Sequence, residues 1–162
     1  MEFDCTKDGK NIYFACREKA AKYNDLLNSR ERAAELLGIS TSTLANHELG
    51  VTKNVPPDTV VMMSDLYKTP ELRSHYCKHE CPIGRNLPLA TQVSGLQSIT
   101  VKILNSLDEE VVRTVKKQLL MIAEDGKITE DEQEEFDGIV KKLEILATEI
   151  SELRMLAEKF QK

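Results

Sequence analysis

Residues 29–50 read SRERAAELLGISTSTLANHELG, two short helical patterns that meet at a tight corner. Ser29 is the residue type that caps a helix start, because its short side-chain oxygen accepts from an N–H that the first turn leaves open. Ala33, Ala34, Leu36 and Leu37 follow as about two turns of apolar helix. Gly38 can adopt the left-handed conformation that ends a helix. Ile39 sits at the corner, and Ser40 caps a second helix whose Leu44 is spaced to face Leu37 and Ile39. Two small alanines where the helices cross permit the close approach of a helix-turn-helix.

On the second helix Thr41, Ser42, Ala45 and Asn46, with Thr43 among them, are short and uncharged and gather near the N-terminus. Such a set suits base edges in a major groove: Asn pairs bidentately with adenine, and hydroxyls and methyls meet phosphates or thymine methyls. A plain helical hairpin with a polar outer face has the same periodicity. The order of residues AAELLGIS, TSTL and ANHE goes further, and resembles the helix-turn-helix of the XRE class of phage-repressor-like transcriptional regulators. Ala34, Gly38, Ile39-Ser40, Thr43-Leu44, Glu48 and Gly50 carry the resemblance, which spans roughly residues 12 to 76. It implies a five-helix DNA-binding domain that acts as a homodimer on palindromic operators in double-stranded DNA. Arg30 stands where the family usually has a phosphate-binding Gln, and can serve with a charge. Lys53, in the following loop, is placed to touch phosphate or simply to be solvated. An arginine facing the groove is missing from the second helix, so guanine readout from it is not expected.

Composition gives the frame. The chain has 162 residues, few aromatic residues, no Trp and little Gly or Pro, and lacks strand-like alternation; the expected class is all-α. The expected domains are 1–81, a helix-turn-helix domain; 82–95, a linker rich in Pro and Gly; and 96–162, a helical dimerisation region. The net charge of −5 argues at first against nucleic acid. Residues 1–85, however, hold twelve basic and twelve acidic side chains, and residues 86–162 hold ten and fifteen, so the acidity belongs to the second half. No apolar run approaches the ~18 residues that span a bilayer, and MEFDCTKDGK is no signal peptide, so a cytoplasmic protein is expected.

Helices are expected over residues 11–27, from Pro57 to Tyr67 and from Pro70 to Lys78. The last leads into HYCKHECPIG, where His75, Cys77, His79 and Cys81 alternate. Cys5, Cys16, Cys77 and Cys81 together could hold zinc or an iron–sulfur cluster, and Cys81-Pro82 is a pairing found at ferredoxin-type sites. The spacing is not that of a zinc knuckle; four unrelated thiols, or a redox-switched disulfide, fit as well.

In the second half, apolar patterns over 92–106 and from Asp108 to about residue 125 precede a final helix that Thr129 and Glu132 open as a capping box. Phe136, Ile139, Leu143, Leu146, Ile150, Leu153, Ala157 and Phe160 follow at steps of three and four, an unbroken heptad seam. At ~1.5 Å per residue this helix is about 45 Å long, so its seam must be covered by the preceding helices, a second copy, or both. Asp125–Glu132 has the letters of half an EF-hand loop, but Met121 and Ala123 would occupy ligand positions and cannot bind calcium. No Gly-rich phosphate loop, zinc-hydrolase motif or nucleophile set points to an enzyme. The competing readings are a helix-turn-helix used for protein interaction, with the acidic half as the docking region, and a regulator that senses metal or thiol state through its cysteines.

Overall fold

The computed structural model describes residues 11–124 and 126–160, and the fold is all-α. Among these residues eight helices form: α1 (Ile12–Ala21), α2 (Arg30–Leu36), α3 (Thr41–Glu48), α4 (Pro57–Tyr67), α5 (Glu71–His79), α6 (Leu96–Ser106), α7 (Glu109–Ile122) and α8 (Glu130–Phe160). None is long and apolar enough to cross a membrane.

Local chemistry sets the boundaries. The Asn11 side chain caps α1, and α1 ends at Ala21 rather than running to residue 27. Asn24 starts a separate single turn by accepting from the Leu26 N–H, so Leu27 drops into the core while Tyr23 is exposed. Ser29 and Ser40 cap α2 and α3 by accepting from Arg32 and Thr43. Gly38 takes φ +66° between them. Asp108 caps α7. At the start of α8 the Thr129 N–H donates to Glu132 at 3.0 Å, one half of the expected capping box.

Helices α1 to α5 close around one core in which Cys16, Leu27, Ala33, Leu44, Met63 and Leu72 are wholly buried. Ala33 and Ala34, buried where α2 meets α3, are the small pair that the crossing needs. Leu36, part of the apolar pattern of α2, is exposed.

Residues 82–95 are not a slack connector. Gly84 is buried against the backbone of Cys77, and Ala90 and Val93 join Ile99 and Met155 in a second core between α6 and α8. The Ala90 N–H donates to Ser151 Oγ at 3.2 Å. Glu152 accepts from the Ser94 N–H at 2.7 Å and from Lys102 Nζ at 2.9 Å. A third small core, Val115, Ile122 and Ile139, joins α7 to α8. The end of α8 also reaches back to the first unit, with Lys159 paired to Glu71, Arg73 to Glu158, and Ser74 Oγ on Met155 Sδ at 3.3 Å.

Candidate nucleic-acid interface

The corner between α2 and α3 is held by one buried carboxylate. Glu48, with its side chain 0% exposed, accepts from Arg17 Nε at 2.5 Å and from Arg30 Nε at 2.8 Å. Arg17 also donates through its second terminal nitrogen to Glu48 at 3.1 Å and through the other to the Leu27 carbonyl at 2.9 Å. Two guanidinium groups therefore converge on the last residue of α3, one from α1 and one from the first residue of α2. The hydrogen bond to Glu48 raises the pKa of Arg17 further, against the effect of burial. This arrangement, which the sequence reading missed, fixes α3 relative to α1 and α2 by ionic contacts as well as by packing. Glu48 at a matched motif position was the available signal; its partners could not be read from spacing.

Of the expected contact residues, Ser42 and Asn46 are exposed, and Thr41, Thr43 and Ala45 are half-buried on the same short helix. Ser40 Oγ lies 2.9 Å from Ser42 Oγ and 2.7 Å from Thr43 Oγ1, so the hydroxyls at the start of α3 form one network. The Asn46 carbonyl accepts from Val51 at 2.9 Å and Thr52 at 3.2 Å, which folds the following loop back beneath the helix and leaves the Asn46 side chain outward. Lys53 stands exposed on that loop. Arg30 is brought to the same corner, but its Nε is committed to Glu48, so phosphate can be met only by the terminal nitrogens of a side chain that is 34% exposed.

His47, next to Asn46, turns inward; its Nδ1 lies 2.9 Å from Thr52 Oγ1. Burial holds its imidazole below the ordinary range, against the nearby charge of Glu80. Glu80 in turn accepts from Tyr13 at 2.5 Å and from the Val55 N–H at 3.2 Å, which ties the end of α5 to α1 and to the loop after α3.

The expected metal ligands are less well assembled. Cys16 is wholly buried in the first core, while Cys77 and Cys81 are half-buried thiols at the end of α5. Cys5 lies outside the described residues, among which no group of three or more His, Cys, Asp or Glu is placed to hold a metal ion. His75 and His79, one turn apart, bring their rings together with centroids 4.2 Å apart and planes tilted by 45°.

No family model, curated protein or solved structure matches this chain.

Proposed function

We propose that the protein is a cytoplasmic, sequence-specific DNA-binding regulator of the XRE type that acts as a dimer on palindromic double-stranded sites, without enzymatic activity. The observation that carries this reading is the pinned α2–α3 corner. A short helix, held at its end by Arg17, Arg30 and Glu48, presents Ser42 and Asn46 outward with a loop lysine alongside. A helix that presents an asparagine and hydroxyls can meet a major groove, where Asn pairs bidentately with adenine and Ser or Thr reaches base edges. The acidic balance of the second half, away from this corner, is compatible with phosphate contact.

A second reading has one observation in its favour. Leu36, Leu49 and Val51 are all exposed around the same corner. An apolar rim suits a protein partner better than a phosphate backbone. Selection of binding sites from a random DNA pool separates the two: the regulator enriches a palindrome, and the interaction module enriches nothing. Asn46→Ala is then expected to lose ~1–3 kcal/mol at one position of the site. Equal loss across all sequences would remove Asn46 from base readout.

A further inference from the structure

The heptad seam of α8 is divided. A short turn joins α7 to α8, and Val115, Leu119 and Ile122 pack with Phe136 and Ile139, so the two helices run antiparallel. Gln118 donates to Glu135 at 2.6 Å, which sets these residues about level. By the same rise, Glu109 at the start of α7 is level with about residue 144. Own-chain packing therefore closes the first part of the seam, where Ile139 is buried and Phe136 half-buried. These two are not available to a partner, contrary to a dimer seam running the full length of the helix.

The face turned toward α6 is a different one. At 3.6 residues per turn, the sixteen residues from Ile139 to Met155 rotate the helix by about 160°. Met155 and Glu152 thus point to α6 on nearly the opposite side from Ile139. The continuation of the seam lies on the side that α6 does not cover. Along it Leu143 and Ile150 are each 46% exposed and Phe160 is 74% exposed.

We propose that residues 143–160 of α8 pair antiparallel with the same stretch of a second copy; this rests on the dimeric reading above and gives it a surface and a direction. Three observations choose the occupant. The spacing from Leu143 through Leu146, Ile150, Leu153 and Ala157 to Phe160 runs three, four, three, four, three, and is the same read backwards. Reversed on itself, the stretch sets Leu143 against Phe160, Ile150 against Leu153, and the larger Leu146 against the small Ala157, so side chains meet in complementary sizes. Finally, α7 bars the parallel alternative. An in-register parallel partner would run its own first turns into the line that α7 already occupies. In the antiparallel pair the partner's helix reaches its last turn opposite Leu143, where α7 begins, and the two together cover the seam from end to end.

Cysteine cross-linking of the full chain, in a background with Cys5→Ser, Cys77→Ser and Cys81→Ser, the buried Cys16 being left in place, and without DNA, tests both pairing and direction. The double variant Leu143→Cys/Phe160→Cys is expected to oxidise to a covalent dimer. Each single variant is expected to remain uncross-linked, because identical positions lie about 25 Å apart along the antiparallel axis. Ile150→Asp, at a site exposed in the protomer, is expected to keep its helicity and weaken dimerisation by about 30-fold or more in sedimentation equilibrium. A monomeric parent protein overturns the proposal, as does a dimer in which the single variants cross-link to themselves or Ile150→Asp changes nothing. Since DNA enters none of these measurements, their failure leaves the site selection to be judged separately.

Discussion

Replacing Glu48 by Gln would leave the Arg17 guanidinium buried beside an amide that cannot balance its charge. Removing one partner of a buried pair typically costs ~3–5 kcal/mol, most of it the penalty on the charge left behind. Urea unfolding of Glu48→Gln is expected to show a loss of that order. A loss below ~1 kcal/mol would mean that water reaches Arg17 once the carboxylate is gone. His75 gives the corresponding expectation for pH. Burial, with the His79 ring adding a smaller push in the same direction, lowers its pKa to about 4 from the ordinary 6.5. The folded state thus favours the neutral ring. Its contribution is complete above about pH 6.5 and is lost as the pH falls from there through about 4. His47, also lowered by burial, acts in the same direction. The thermal midpoint is expected to drop over this window, and His75→Gln to flatten a large part of the drop; an unchanged pH profile in that variant would assign the acid sensitivity elsewhere.

Helix ends and packing faces differ in how far the sequence reveals them. Gly84 lies against the Cys77 backbone so closely that an added Cβ has no room. Gly84→Ala must therefore move α5 or the turn after it, and a cost of ~1–3 kcal/mol is expected in denaturant unfolding. Equal stability would show that the turn shifts freely. From the letters alone this glycine looked like a linker residue, because Pro82, Gly84 and Pro88 mark breaks in regular structure and say nothing of what the broken chain packs on. Caps were legible for the converse reason: Ser29, Ser40 and Asp108 act on N–H groups two or three residues away, within reach of a local reading. The α2–α3 corner was legible through Gly38 and the paired alanines. The first helix was drawn too long because Asn24 starts a turn of its own after Ala21, and Leu36 was misplaced because a two-turn helix has too few residues for its period to fix the buried side. The long helix showed the same limit at larger scale: its heptad repeat is real, but the contacts of Glu152 and Met155 turn the opposite face inward near its end. Arg17, Glu48 and Arg30 come from three helices, and only the fold brings them together.

At the scale of the whole molecule, the second half depends on contacts beyond its own small cores. The end of α8 is fastened to α5 through Glu71 and Lys159, whose side chains are 5% and 14% exposed. Glu71 has one carboxylate oxygen on Lys159, while its other, buried oxygen has no hydrogen-bond partner among the described residues. The carboxylate is therefore held mainly by that lysine. Lys159→Met would leave it buried and uncompensated, with an expected loss of ~3 kcal/mol or more. The loss should also be regional: hydrogen exchange is expected to accelerate at the start of α5 and the last turns of α8, while the α2–α3 corner keeps its protection. Adding Glu71→Leu to Lys159→Met replaces the pair by apolar groups, a change that is often neutral where the sites pack well, and should restore most of the stability. A double variant as unstable as Lys159→Met alone would instead show that the fastening depends on the specific geometry of the ion pair. In the first outcome the two halves are joined by burial, and the charges chiefly fix which turn of α8 meets α5; in the second, the ion pair itself holds them together.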